Sequence, residues 1–161
     1  MPTPLELQVK FWAALKNDMT MMLGAKGTTD GHPRPMTAQF ENDQGPLWFF
    51  TTKDNSLVIG LSESAEAVAT FTSKDHDLFA TVDGALALEP DQAVVDRFWN
   101  RFVAAWYEGG KDDPNLALLR FEPKHAEIWE DATSLWAGAK LLLGIDPKSD
   151  YKDKVAHVDL T

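Results

Sequence analysis

The side chains able to do chemistry are few and scattered. Four histidines, His32, His76, His125 and His157, never stand four apart around a glutamate, the spacing that turns one helix face into a metal site. Asp75-His76-Asp77 holds ligand-type residues, but its surroundings read as a solvated turn between strands. Asp112-Asp113 offers paired carboxylates for acid–base work, yet Gly109-Gly110-Lys111 before it and Pro114 after it mark an exposed loop. Gly24, Gly27 and Gly31 suggest a phosphate loop. A Walker loop, however, needs Gly-Lys-Ser/Thr opening a helix, and here Lys26 precedes Gly27 and a strand follows. Gly60-Leu61-Ser62-Glu63-Ser64 begins like a nucleophile elbow and lacks its final glycine. The absence of cysteine removes thiolate catalysis, disulfides and Cys-based zinc or iron–sulfur sites together. Nothing here argues for a hydrolase or a metal centre. What stands out instead is ring surface, six tryptophans and nine phenylalanines, available for core packing or for stacking at a cofactor or subunit contact.

The bulk numbers narrow the class further. A length of 161 residues predicts a single domain over 1–161, with a core of about 4–144 and a C-terminal arm or tail of about 145–161. With 15 Lys plus Arg against 25 Asp plus Glu, the net charge is −10. Such a surface repels phosphate backbones, and no basic cluster offsets it, so a general nucleic-acid binder is not expected. No apolar run approaches the ~18 residues of a membrane span. Met1-Pro2-Thr3-Pro4-Leu5-Glu6 lacks a secretory pattern, and the missing disulfides fit a reducing compartment. The expectation is a cytoplasmic protein without membrane or nucleic-acid partners.

The elements that must position any site follow from periodicity. Residues 4–18 predict an amphipathic helix, started by Pro4, with Leu5, Val9, Trp12 and Leu15 on one face. Strands are expected at 20–25, 34–40 and 47–51, joined by turn-rich stretches at 26–33 and 41–46 as an antiparallel meander. A helix cap lies at 53–56 with a short helix to about Ser62. Strands follow at 67–72 and 78–87, with Gly84 marking a bulge. Pro90 to about Trp106 has helical character, with Val94, Phe98, Phe102 and Trp106 on one face. Residues 116–121 and 126–129 form a last strand, bent or interrupted near Pro123. Ser134 to Leu143 closes the chain as a helix, with Gly144 past its end. About six strands that do not alternate as βαβ units predict a mainly β (α+β) fold: an antiparallel barrel or sheet with peripheral helices.

Three segments sharpen this. Arg34-Pro35-Met36-Thr37-Ala38-Gln39, Leu47-Trp48-Phe49-Phe50-Thr51-Thr52-Lys53 and Ala126-Glu127-Ile128-Trp129-Glu130 occur in that order. Together with Phe98-Trp99 and Lys111-Asp112-Asp113-Pro114, they resemble the general stress protein branch of the pyridoxamine 5'-phosphate oxidase-like flavin proteins, over roughly residues 4–144. The resemblance implies a six-stranded split β-barrel, a homodimer, and FMN in the groove between subunits. It implies that Arg34 and the segment Thr52, Lys53, Asn55 and Ser56 hold the phosphate and ribityl chain. By the same resemblance, Pro35, Met36, Thr37, Phe50 and Thr51 line the ring system, and Trp129 reaches the flavin of the second subunit. The chemistry is consistent: Arg34 offers a forked guanidinium, Lys53 an ammonium, and the start of a helix offers free N–H groups. Ordinary structural roles stay open beside these, Arg34 as a strand residue, Lys53 as a solvated turn lysine, Trp129 as core or dimer packing. Many relatives carry a lysine just inside the helix, where this chain has Leu57.

Two roles follow from that resemblance. One is an FMN-dependent oxidoreductase passing electrons between a reduced nicotinamide or other small substrate and an acceptor. The other is a module that stores, carries or senses flavin. A deazaflavin or haem ligand in the same barrel is a further possibility, because fold alone does not fix the ligand. A true pyridoxamine-phosphate oxidase is not expected, since 130–143 holds neither arginine nor histidine. The sequence marks no catalytic acid or base.

Overall fold

The structure is a computed structural model that describes residues 2–27, 32–131 and 155–161. Helix α1 (Pro4–Asn17) is followed by strands β1 (Thr20–Ala25), β2 (Arg34–Thr37) and β3 (Leu47–Thr52). A single helical turn, α2 (Ser56–Ile59), precedes β4 (Ala65–Thr72) and β5 (Leu78–Leu88). Two short helices, α3 (Gln92–Phe98) and α4 (Arg101–Ala104), and a 3₁₀ turn lead into β6 (Leu116–Glu130) and then β7 (Val155–Asp159).

The seven strands form one antiparallel sheet in the order β2-β1-β4-β5-β6-β3, with β7 on β6. The long β6 shares one edge between two partners, giving Leu116–Phe121 to β3 and His125–Trp129 to β7. The ends of the sheet meet at one point. Gln39, just past β2, exchanges both backbone hydrogen bonds with Trp48 of β3, each 2.8 Å. This is a barrel closed by one bridge and split beside it.

Alternation builds the interior. Leu23, Ala67, Ala69, Val82, Leu86, Phe121 and Ile128 point inward, and α1 plugs them with Leu7, Phe11, Trp12 and Leu15. The helix is rotated from the expected face: Leu5 and Val9 are 68% and 58% exposed, while Leu7 and Phe11 are buried. Burying the Phe11 ring, which meets Phe71 edge-on at 6.0 Å, removes more apolar area from water than burying Val9 would. A second, smaller cluster forms on the outer face, where α3 lays Val94 and Val95 over Trp48 and Leu118, with Phe50, Phe98 and Trp99 around them.

Gly84 does mark a bulge. The β5–β6 register shifts there, and a Cβ on Gly84 would lie 2.3 Å from the Glu122 carbonyl oxygen. Pro123, opposite Gly84, is accommodated at this irregularity, so β6 runs on without interruption. Two expectations are corrected. Part of the expected C-terminal arm is β7, whose Ala156 and Val158 enter the core while His157 and Asp159 face out. The expected helix from 90 to 106 is broken: Trp99 (φ −65°, ψ 129°) and Asn100 (φ −148°, ψ 174°) are extended. Asn100 explains the break, its Oδ1 accepting from the N–H groups of Phe102 and Val103 at 2.9 and 3.0 Å as the cap of α4. The expected helix at 134–143 and part of the 26–33 connection lie outside the described residues.

Candidate functional site

Past the Gln39–Trp48 bridge, β2 and β3 splay apart, and the gap between them is a cleft of roughly 750 Å³. Beyond that bridge, and among the described residues, each strand is paired on one side only, β2 with β1 and β3 with β6. Edge strands that turn an unpaired side to a gap offer backbone donors and acceptors to whatever fills it. Pro35 fits this position, because an edge strand tolerates a residue without an N–H.

Of the residues singled out from the sequence, the fold brings eight into this cleft: Arg34, Pro35, Met36, Thr37, Phe50, Thr51, Thr52 and Asn55. Arg34 lies opposite Leu23 in the β1–β2 ladder and is half-buried. Thr51 is buried and serves as a hub. Its carbonyl accepts from the Tyr107 hydroxyl at 2.7 Å, and its Oγ1 accepts from Asn55 Nδ2 at 3.0 Å. Asn55 Oδ1 in turn accepts from the Leu57 N–H at 2.9 Å, and Thr52 Oγ1 bonds Asp54. Ser56 lies next to Asn55, and its buried Oγ has no hydrogen-bond partner among the described residues.

Three of the singled-out residues do not join this wall. Lys53 lines a separate cleft of roughly 650 Å³ with Val58, Glu89, Gln92 and Lys111, so the two cations expected on one phosphate line different clefts. Ser56 is adjacent to the cleft without lining it. Trp129 sits at the opposite end of β6 from Leu118, the partner of Phe50, and pairs with Phe79 and Val155. Leu57, where many relatives carry a lysine, is fully buried in the core, and α2 is a single turn whose dipole adds little.

The far wall went unread in the sequence. Asn100, Phe102, Val103, Trp106 and Tyr107, with Met19 and Gln39, complete the lining. Breaking the helix at Trp99 and Asn100 swings Phe102 and Trp106 away from the Val94 face, leaving them 70% and 84% exposed beside the cleft. Trp99 stays behind as a spacer, its ring 6.0 Å from both Phe50 and Tyr107. Burial, with the Asp113 carboxylate acting in the same direction, pushes the Tyr107 phenol up to about 12, so it remains a donor at neutral pH. A capping asparagine inside a helical stretch was the available signal.

Among the described residues the lining holds no carboxylate, imidazole, lysine or thiol. Its polar groups are one guanidinium, amides, hydroxyls and free strand edges. That set can bind and orient a ligand. The motifs set aside on sequence grounds have local duties. Asp113 accepts from the N–H groups of Gly109 and Asn115 at 3.0 and 2.9 Å, holding its loop, which also lowers its pKa. Ser73 ties together the turn around His76.

Known proteins share this fold. A general stress FMN/FAD binding protein from Xanthomonas citri is 58% identical and superimposes with a TM-score of 0.76, over 81% of this chain and 92% of that one. A structure from Jannaschia sp. CCS1, given as a candidate general stress protein 26, is 30% identical with a TM-score of 0.78, over 98% of this chain and 99% of that one. General stress protein 26 of Bacillus subtilis (strain 168) is 30% identical over 70 residues, which is 44% of this chain and 45% of that protein. The pattern of the pyridoxamine 5'-phosphate oxidase-like proteins matches residues 6–145. A split barrel with its cleft between two free strand edges, in a chain matching that pattern over most of its length, belongs to the pyridoxamine 5'-phosphate oxidase-like family.

Proposed function

We propose that this chain binds FMN in the cleft between β2 and β3 and serves as a flavin-dependent electron carrier or oxidoreductase. The observation that carries the reading is the pairing of Arg34 with two splayed, free strand edges beside an aromatic wall. FMN has three unlike parts, a dianionic phosphate, a polar pyrimidine edge and a flat apolar ring. The cleft offers a counterpart for each: the Arg34 guanidinium for phosphate, free backbone groups of β2 and β3 for the pyrimidine edge, and Phe50 with Met36 for the ring. The Xanthomonas citri relative, a general stress FMN/FAD binding protein, supports the same ligand. When bound, flavin supplies one- or two-electron transfer, and the protein's part is to hold and orient it.

A second copy of the chain completes the site in this proposal. Trp129 is remote from the cleft of its own chain, so it reaches a flavin only across a subunit contact. No helix among the described residues is long and apolar enough to cross a membrane. The lining itself favours simple carriage of electrons over chemistry that needs an acid or base, because no such group stands there among the described residues. A storage or sensing role is the limiting case in which the bound flavin meets no efficient donor.

The first test is a visible spectrum after adding FMN and desalting. Retained flavin bands are expected. Arg34→Ala is expected to weaken FMN by ten- to a hundredfold, on the order of 1.5–3 kcal/mol for a charge-assisted pair, while riboflavin, which has no phosphate, changes little. Equal losses for both ligands would remove Arg34 from the phosphate, and a protein retaining no flavin would sink the cofactor assignment.

A further inference from the structure

Four of the chain's five methionines, Met19, Met21, Met22 and Met36, fall on or next to the β1–β2 ladder. Met21 pairs with Met36 across it, and the Ala38 N–H donates to the Met19 carbonyl at 2.6 Å. Met19 and Met36 line the cleft, whereas Met21 is buried in the core and Met22 lies outside the lining. The ordinary duty of such side chains is packing, since a flexible thioether fills irregular gaps. Met21 does that. Met36 stands where the flavin ring lies in the proposed complex, with Arg34, Pro35 and Thr37 of the same strand lining the cleft around it. Met19 is the one residue of its segment to reach the lining. Because the chain has no cysteine, a thioether is its first group to react with peroxide.

Resting on the FMN reading, we propose that Met36, and Met19 after it, is oxidised to the sulfoxide by hydrogen peroxide formed at the bound flavin, and that the Met36 sulfoxide releases the flavin. Dioxygen that takes two electrons and two protons from reduced flavin becomes hydrogen peroxide. The Met36 sulfur attacks one peroxide oxygen: an S–O bond forms, the O–O bond breaks, and the second oxygen leaves as water. Sulfur loses two electrons and peroxide gains two, so no further reactant is required. Access from bulk solvent is not required either, because the oxidant arises inside the cleft whether or not a second copy closes it. The sulfoxide sets a polar oxygen against an apolar ring, which weakens the contact that Met36 supplies. Loss of flavin then stops peroxide formation, so the site limits its own oxidant.

The test loads the full chain with FMN and records its retention by absorption. The flavin is then reduced in the dark, without oxygen, by stoichiometric dithionite. Air is admitted with catalase present, which destroys any peroxide that escapes to bulk solvent. After repeated cycles, peptide mass spectrometry is expected to find the sulfoxide at Met36 roughly fivefold over Met21 and Met22. The Kd of FMN is expected to rise roughly tenfold. Met36→Leu, whatever its own starting Kd, should show no rise on cycling. Bulk peroxide given to the chain without FMN should not reproduce the preference for Met36 over Met22; if it does, the preference belongs to the side chain's setting and not to the flavin, and the proposal is overturned. Retained FMN with sulfoxide absent, or spread evenly over Met22 and Met36, would overturn it and leave the flavin reading standing. So would a Met36 sulfoxide that leaves the Kd of FMN unchanged. A chain that retains no FMN would end both readings, and the spectrum taken before the first cycle identifies that case by itself.

Discussion

Along β3, Leu47 and Phe49 face the barrel interior and are fully buried, whereas Phe50 and Thr52 face outward and line the cleft half-exposed. One strand thus serves two regions with different physics. The interior is enclosed by the sheet and plugged by α1, and its side chains are aliphatic or aromatic. The cleft is open where β2 and β3 splay, and its lining mixes rings, amides, hydroxyls and one guanidinium. The difference teaches where stability and binding are separable. Inside, every ring is held by neighbours, so removing one leaves a cavity. At the cleft, the exposed rings hold up little of the fold, so removing them changes what binds.

The largest expected effect tests that separation directly. Phe49→Ala empties a fully buried position and is expected to cost about 3–5 kcal/mol of unfolding free energy. Phe102→Ala, at a position 70% exposed, is expected to stay within about 0.5 kcal/mol. Urea titrations of the two variants give the comparison. Similar losses in both would mean that Phe102 is covered in solution, and the division between interior and cleft would fail.

Tyr107 sits on the boundary and sharpens it. Its phenol is buried and bonded to the Thr51 carbonyl, with its pKa raised from 10.0 to about 12. A raised folded-state value means the neutral form is favoured by folding. The contribution is therefore fully present below about pH 10, the unfolded value, and is lost as pH rises through the folded value near 12. The loss is at most on the order of 2 kcal/mol. Thermal unfolding followed from pH 9 to 12 should show a decline that Tyr107→Phe flattens. An identical decline in the variant would assign the alkaline sensitivity to other groups.

The two regions also differ in how legible they were. The interior strands β3, β4 and β5 were legible as β-rich runs between turn signals, and the bulge from a single glycine at 84, whereas the buried face of α1 was not. The near wall of the cleft was legible through Arg34 to Thr37 and Phe50 to Asn55, because the resemblance lay on those segments. The far wall was not. Phe98, Phe102 and Trp106 recur at helical spacing, and apolar periodicity cannot distinguish a continuous helix from two short ones with an asparagine cap between them. Lys53 was placed with Arg34 by the resemblance and by its charge, and neither carries information about which side of a turn a side chain takes. β7 was missed because His157 and Asp159 made the segment look polar, although Val155-Ala156-His157-Val158-Asp159 already alternates.

The smallest effect isolates the cap that makes the far wall. Asn100 Oδ1 accepts from two N–H groups at the start of α4, and Asn100→Ala leaves both without that partner. The expected cost is about 1 kcal/mol of stability. Because α4 carries Phe102, and Tyr107 follows it in the chain, the same loosening should weaken flavin retention slightly, by a few-fold. Asn100→Asp separates the two consequences. An aspartate caps as well as asparagine, so stability should return. Its negative charge now lines the cleft that holds Arg34, so FMN affinity should not return and should fall with the phosphate's charge. If Asn100→Asp recovers both stability and FMN binding, the cap acts on binding through the fold alone and the cleft does not extend electrostatically to α4. If it recovers stability alone, the break at Trp99 and Asn100 is the step by which an outer helix became part of the site.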